Sequence, residues 1–376
     1  MKFTVSSTAL ASSLQSISRV IASKSTMQIL ESFLFKIDGE TLTLTASDME
    51  TTLTTTVEIS NVSGKGAVAI SSKLLLDIIK EFSDQPLQFE INDENMAVEM
   101  KSAAGKYTLV GQLGDEYPTT PTIADDAASF VIPVSTLLGG INKTSFAAAV
   151  DDLRPTMAGI FFDIKEDSLT FVATDAHKLV RLRTTGVKPE LVSNFILPQK
   201  PASALKSILP KESGEVTVQF DGKNIVFTMS QYQMYCRQIE GRFPPYENVI
   251  PNREVNVNKL VVDRMSFLKA LKRVSLFTNQ ANNLIKIGLL PNKVNISAQD
   301  IDYSISANEE LACQYDGAEL NIGFKSQFLM EILGNIDSTE VSIELSDPSR
   351  AGLILPYEQA EDEDLLMLLM PMLLND

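Results

Sequence analysis

The sequence predicts an α+β fold built from three copies of one domain, each with two helices and antiparallel sheet. Three observations carry this. Leu42-Thr-Leu-Thr-Ala-Ser-Asp48 returns as Leu169-Thr-Phe-Val-Ala-Thr-Asp175 and, more loosely, as Val294-Asn-Ile-Ser-Ala-Gln-Asp300, with the aspartates 127 and 125 positions apart. Lys73, Lys200 and Lys325 keep the same two offsets. In each copy, segments of helical period and segments of period two follow in the same order. A third of the 376 residues is a domain of about 125, large enough for its own core.

Each copy opens with an extended segment feeding a helix. Lys2-Phe-Thr-Val5 precedes Ser6, Ser7 and Thr8 as cap candidates, and Leu10, Leu14, Ile17 and Ile21 recur on one helical face. The second copy reads Phe130-Val-Ile-Pro-Val134, then Leu137, Leu138 and Ile141, with Gly139 and Gly140 weakening the helix. In the third, Asp263 caps a helix carrying Phe267, Leu268, Leu271 and Val274. Alternating β-branched strands follow, such as Thr41–Thr45 and Thr51–Val57, and the Ser47-Asp48 step between them suits a tight turn. A second helix starts after each repeated lysine, and further strands, such as Val216–Phe220 and Ile225–Met229, close the copy. Pro- and Asp-rich passages near 115–128 and 243–253 divide the chain into domains 1–124, 125–253 and 254–376.

Composition narrows the function. Hydrophobic residues make up 44% of the chain, as in ordinary globular proteins. Met1–Lys24 is amphipathic rather than a secretory leader, and the apolar run Leu365–Leu374 is about half a membrane span and contains Pro371. Cys236 and Cys313 fall in different copies, so no disulfide framework is expected and the cytoplasm is the plain location.

The net charge of −16 argues against nucleic acid until its distribution is read. The predicted helices 8–23, 72–82, 135–148, 199–209, 263–276 and 325–333 hold eleven basic residues, among them Arg19, Lys80, Lys143 and Lys206, against four acids. All six are neutral or positive, their sum is +7, and the remainder of the chain carries −23. A solvated helix face is the bland reading. If the helices share a surface, that surface attracts phosphates, and its few aromatics favour backbone contact over base readout.

Catalytic patterns are missing. His177 is the only histidine, which excludes multi-histidine zinc sites. Asp175-Ala-His177 suggests acid–base chemistry, but the matching aspartates of the other copies have no histidine, so a turn-forming Asp and a surface His are the simpler reading. Asp300 and Asp302 read as alternating along a strand, and Glu361–Asp364 as a solvated tail; neither makes a two-metal site. No phosphate loop or dinucleotide fingerprint occurs, and no metal or cofactor is expected.

Ala173-Thr-Asp-Ala-His-Lys-Leu179, Phe243-Pro-Pro-Tyr246 and the terminal Met370-Pro-Met372, on three repeats of this domain, resemble the bacterial DNA polymerase III beta subunits, the sliding clamps. The resemblance spans essentially the whole chain. It implies a non-catalytic processivity factor: a head-to-tail homodimeric ring, helices lining the hole, encircling duplex DNA without sequence preference. It also implies a hydrophobic pocket between the second and third domains for short peptides of the polymerase III catalytic subunit, the clamp loader and other clamp-binding proteins. Carried over by position, that pocket uses Met157, Thr174, His177, Leu179, Pro244, Val249, Phe328, Leu368, Met370, Pro371 and Met372. Core burial remains the other reading for Leu365 and Leu366.

By the same resemblance, Lys24, Arg154 and Lys200 touch DNA, joined on charge grounds by Arg19, Lys80, Lys143 and Lys206. The subunit contact pairs the strand of Tyr107 and Leu109 with the segment of Leu284, Ile285 and Ile287 in the other copy. Departures fall at Ala176, Lys178 and Asn248, where the family often has Gly, Arg and Arg, and at Leu373-Leu374, Asn375-Asp376 and the acidic run 361–364.

Overall fold

The computed structural model describes every residue except Ser23, Asp151, Asp152, Asp316, Asn375 and Asp376. Ser23, the last residue of the first expected helix, and the Asn375-Asp376 extension therefore lie outside the described residues.

The three repeats follow one plan. The first runs β1 (Lys2–Ser6), α1 (Ser7–Ile17), β2 (Ser32–Asp38), β3 (Thr41–Ser47), β4 (Thr51–Glu58), β5 (Ser60–Ser63), β6 (Gly66–Ser71), α2 (Ser72–Ile79), β7 (Pro86–Ile91), β8 (Ala97–Lys101) and β9 (Lys106–Leu113). The second runs β10 (Ala128–Pro133), α3 (Val134–Thr144), β11 (Gly159–Lys165), β12 (Ser168–Thr174), β13 (Lys178–Thr184), β14 (Ser193–Pro198), α4 (Gln199–Ile208), β15 (Glu215–Phe220), β16 (Asn224–Thr228) and β17 (Tyr232–Arg237). The third runs β18 (Asn258–Asp263), α5 (Arg264–Val274), β19 (Leu284–Leu290), β20 (Lys293–Asp300), β21 (Ile305–Ala312), β22 (Gln314–Tyr315), β23 (Leu320–Lys325), α6 (Ser326–Gly334), β24 (Glu340–Leu345), β25 (Gly352–Pro356) and β26 (Glu363–Leu369).

Local chemistry explains the helix ends. The Ser6 hydroxyl accepts the Ala9 N–H at 3.3 Å to start α1, and the Asp263 carboxylate accepts the Ser266 N–H at 2.7 Å to start α5. The first helix of every repeat tightens into a 3-10 turn, Ser18–Val20, Ser145–Ala147 and Ser275–Phe277, so α1 stops at Ile17, short of the expected 23. The glycine pair does not break α3. A Cβ on Gly140 would lie 2.5 Å from the Phe171 ring, whereas one on Gly139 meets nothing, so only Gly140 is required by packing.

Every ladder is antiparallel, and the chain forms two compact units. Met1–Leu138 with Lys200–Gln238 carries one thirteen-stranded sheet, β10-β15-β16-β17-β4-β3-β2-β6-β9-β8-β7-β1-β5. Gly139–Gln199 with Ile239–Asp376 carries a nine-stranded sheet, β14-β11-β12-β13-β26-β25-β24-β18-β22, and a four-stranded one, β21-β20-β19-β23. Buried aromatics anchor each unit: Phe3 stacks on Phe89 at 5.0 Å in the first, and Phe162 on Phe195 at 4.4 Å in the second.

The units cut across the second repeat because backbone ladders run from one repeat into the next. Strand β4 pairs with β17 from Thr51–Cys236 to Thr55–Tyr232. Strand β13 pairs with β26 from Lys178–Leu369 to Thr184–Glu363 in the same relation. The third-repeat counterpart of β4 and β13 is β21, which among the described residues pairs only with β20. The first-repeat counterpart of β17 and β26 is β9, bonded to β8 along Lys106–Val110 and to β6 only at Gly111–Leu113. One half-joint stands open at each end of the chain.

Four expectations are corrected. Asp302 is not on a strand: β20 ends at Asp300 and a turn follows. Glu361–Asp364 is not wholly a solvated tail: Glu361 and Asp362 lie in an exposed turn, but Glu363 and Asp364 begin β26, with ion pairs from Lys143 at 2.5 Å and from Arg181. Helix α6 carries Glu331 and no basic residue, because Lys325 caps it from outside, so not all six helices are neutral or positive. Leu284, Ile285 and Ile287 cannot offer an edge to another subunit. Their strand β19 is flanked by β20 and β23, and Ile285 and Ile287 are buried. The free edge of that sheet is β21.

Candidate functional site

The turn between β12 and β13 is built by its own polar side chains. Asp175 Oδ1 accepts the N–H groups of His177 and Lys178 at 2.9 and 2.8 Å, and the Thr174 hydroxyl donates to the Lys178 carbonyl at 2.8 Å. Ala176 sits at φ 74°, the left-handed region, where a Cβ costs about 1–2 kcal/mol; this is the physical reason a glycine suits the position.

The turn projects His177 while burying Lys178. The Lys178 ammonium lies 2.8 Å from Asp175 Oδ2, 3.0 Å from Glu331 Oε2 and 4.3 Å from the centre of the Phe328 ring. Burial works to raise the Asp175 pKa, but hydrogen bonds from Lys178 and His177 and the Lys178 charge outweigh it and hold the carboxyl below its ordinary value. His177 stacks on Phe328 at 5.8 Å, and Lys325 Nζ lies 4.7 Å from the same ring.

The chain end completes the wall. The Met370 N–H donates to the His177 carbonyl at 2.9 Å and the Met372 N–H to the Gly323 carbonyl at 2.8 Å, so the tail adds a short bridge to the edge of β23. A Cβ on Gly323 would sit 2.6 Å from the Met372 oxygen; the tail's approach demands glycine there. The result is a cavity of about 310 Å³ lined by His177, Ala281, Asn282, Lys325, Phe328, Met370, Pro371 and Met372.

A leucine-rich cluster lies in the same unit: Val172, Leu179, Ile196, Phe243, Tyr246, Leu353, Leu355, Leu366 and Leu368. Phe161 stacks on Phe243 at 4.6 Å. The Tyr246 hydroxyl donates to Asp163 at 2.7 Å; burial first, and that carboxylate second, push its pKa far up. Leu366 joins this cluster beside Leu368, while Leu365 is buried on the opposite face of β26.

The expected pocket residues thus separate into groups. His177, Phe328, Met370, Pro371 and Met372 line the cavity, and Leu179 and Leu368 belong to the leucine cluster. Thr174 is buried with its hydroxyl committed to the turn. Met157 ends a 3-10 turn and accepts the Ala149 N–H at 2.9 Å; Pro244 and Val249 flank the buried Phe243 and Tyr246. Sequence reasoning missed Lys325 as a lining residue, and missed Ala281, Asn282, Leu353 and Leu355. The apolar stretch Leu353-Ile-Leu355 was a signal for the last two; the asparagine-rich loop before β19 gave none.

The expected DNA contacts are also diverse. Arg19 and Lys24 are exposed and make no ion pair among the described residues, and Lys80 pairs with Asp77 at 2.8 Å. Lys206 is exposed on α4. Lys143 is bound to Glu363, Lys200 to Asp48, and Arg154 donates to the Asp175 carbonyl at 2.9 Å. Among the described residues no cluster of His, Cys, Asp and Glu could hold a metal ion, and no helix is long and apolar enough to cross a membrane.

Repeated two-helix domains joined edge to edge by β-ladders, with a cavity beside the second joint lined by His177, Phe328 and the chain end, define a clamp-type domain array. The chain belongs to the DNA polymerase III beta subunit family: the N-terminal domain of that family matches residues 1–121, the central domain 131–245 and the C-terminal domain 247–373. The beta sliding clamp of Pseudomonas aeruginosa is 28% identical over 374 residues, covering 99% of this chain and 100% of the relative. That of Haemophilus influenzae is likewise 28% identical over 374 residues, with the same coverage. Among solved structures, a Pseudomonas aeruginosa sliding clamp bound to griselimycin superposes with a TM-score of 0.93 at 26% identity, covering all of both chains. A Bartonella birtlesii clamp bound to griselimycin gives the same TM-score and identity over the full length of both. The function is that of a sliding clamp for DNA polymerase III, and the chain is not an enzyme.

Proposed function

We propose that two copies of this chain close head to tail into a ring around duplex DNA, and that the groove of the second and third repeats tethers polymerase III, the clamp loader and other proteins carrying short clamp-binding peptides. The observation that carries the reading is the joint made twice within the chain, with one unpaired half left on β9 and the other on β21. The edge chemistry supports it. The Gly111 N–H donates to the Met96 carbonyl at 2.8 Å, so Val110 directs its own N–H and C=O away from β8, toward the open side. Copying the register of the two internal joints sets Leu109 opposite Ile305 and Lys106 opposite Asn308 of the second copy. Tyr107 and Leu109 then belong to the contact strand, with β21 in place of the Leu284–Ile287 segment.

A ring needs no tight grip, only mobile phosphate contacts, and Arg19, Lys24, Lys80, Lys143, Arg154, Lys200 and Lys206 suit that role. The domains are taken as 1–124, 125–253 and 254–376, and the site of action as the cytoplasm. The peptide site combines the eleven residues named from the sequence with Lys325 and the leucine cluster; methionines suit a wall that must fit several peptides.

The test is topological. The protein should remain on nicked circular DNA and run off once that DNA is linearised; equal loss from both forms would sink the ring. Deleting residues 370–376 should abolish binding of a polymerase-derived peptide and leave the dimer intact.

A further inference from the structure

The two internal joints carry the same turn aspartate and the same register lysine, yet pair them differently. Asp48 and Asp175 hold matching positions in repeats one and two, and Lys200 and Lys325 hold matching positions in the repeats that follow. At the first joint Lys200 forms an ion pair with Asp48. Repeat symmetry would set Lys325 on Asp175, but that carboxylate is taken. Three positions past the aspartate the first turn has Thr51 and the second has Lys178, whose ammonium lies 2.8 Å from Asp175 Oδ2. Glu331 Oε2 holds the same ammonium at 3.0 Å. A lysine inside the turn thus occupies the place that the next repeat's lysine fills at the first joint.

Lys325 is left with a ring and a cavity. Its ammonium lies 4.7 Å from the centre of Phe328, and it makes no ion pair among the described residues. The same ring already carries Lys178 at 4.3 Å and the stacked His177 at 5.8 Å, so one π-face is shared and cannot stand in for a counter-charge. Lys325 lines the cavity of about 310 Å³ beside Phe328, Met370 and Met372, and no other lysine, arginine or carboxylate lines it. A half-buried ammonium against apolar walls gains most from a carboxylate that arrives with an apolar neighbour.

We propose that Lys325 makes this cavity selective for peptides that carry an aspartate or glutamate next to the apolar residue seated against Phe328 and Met370. Its ammonium takes from the peptide the side-chain carboxylate that Asp175 does not offer it. The proposal rests on the peptide-binding reading above and adds to it the charge of the preferred peptide. Two observations argue for it together: the repeat position of Lys325, which holds a carboxylate at the first joint, and the lone formal charge it brings to an otherwise apolar and amide wall.

The experiment is an anisotropy titration of the full chain with a clamp-binding peptide of the polymerase III catalytic subunit, amidated at its C-terminus. The peptide is made with Asp, Asn or Lys at each position flanking its apolar residues. At one of these positions Asp should bind about three- to tenfold more tightly than Asn, and added salt should narrow the difference. Lys325→Gln should bring the two within about twofold by weakening the Asp peptide, while the unchanged Asn peptide shows that the variant is folded. Lys325→Glu should reverse the order and favour the Lys peptide. A wild-type chain that binds none of the peptides overturns the peptide site and the role of Lys325 together. Binding without preference for Asp at any position, or a preference that survives Lys325→Gln, overturns the role of Lys325 alone. So does a free C-terminus that raises affinity over the amide where Asp does not, since Lys325 would then take a chain end.

Discussion

The joint of β4 with β17 and the joint of β13 with β26 share one backbone construction and differ in the side chains they turn outward. Where the second joint places Leu179, Leu366 and Leu368, with Leu353 and Leu355 on the adjoining strand, the first places Thr52, Gln233 and Tyr235, with Val226 and Thr228. The turns differ likewise: Asp48 accepts an ion pair from an exposed lysine, Lys200, while Asp175 serves the buried Lys178. Ladder hydrogen bonds are indifferent to side chains, so duplication preserves the joint. Binding depends on the outward faces, and those have diverged. The second joint therefore carries a leucine cluster that the first does not.

The largest effect should come from remaking the second joint in the image of the first. Leu179→Thr with Leu366→Gln should cost about 3–6 kcal/mol in chemical denaturation, because two well-packed leucines are lost. It should also abolish peptide binding in a titration; unchanged affinity in the folded variant would show that the leucines do not form the site.

Next come the turns. Asp175→Ala strands a buried ammonium with one remaining carboxylate and should cost about 2–3 kcal/mol. Asp48→Ala removes a turn cap and a partly exposed ion pair, and should cost about 1 kcal/mol. Equal losses in parallel melts would erase the contrast between the joints.

Under the second joint, α3 offers an internal control. Gly140→Ala pushes into Phe171 and should destabilise by about 1–3 kcal/mol, while Gly139→Ala meets open space and should stabilise by up to about 1 kcal/mol. A stabilising Gly140→Ala would contradict the close approach of helix and ring.

The smallest effect is on acid stability. The Asp175 carboxyl has its pKa lowered from 3.8 in the folded chain, so its contribution is complete above that value and fades as pH falls through the lowered one. Asp175→Asn should flatten the acid limb of the stability curve below about pH 4. Superimposable acid limbs for wild type and Asp175→Asn would argue against the pair.

Much of this was legible in the residues. The aspartate and lysine offsets gave three copies, the periodicities gave their helices and strands, and Met370-Pro-Met372 and His177, named together from the sequence, line one cavity. The misreadings share a cause. Glu363 and Asp364 looked like a tail because charge suggests solvent, yet Lys143 and Arg181 hold them in a strand. Ile285 and Ile287 looked available to another subunit because a strand pattern does not reveal which of its edges are already taken.

By itself the sequence determined the repeat and the local elements, since each depends on neighbours along the chain. Tertiary structure alone decided which strand of one repeat pairs with which of the next, which lysines are bound by carboxylates far away in sequence, and which half-joints remain open. Those are long-range pairings, and local pattern carries no record of them.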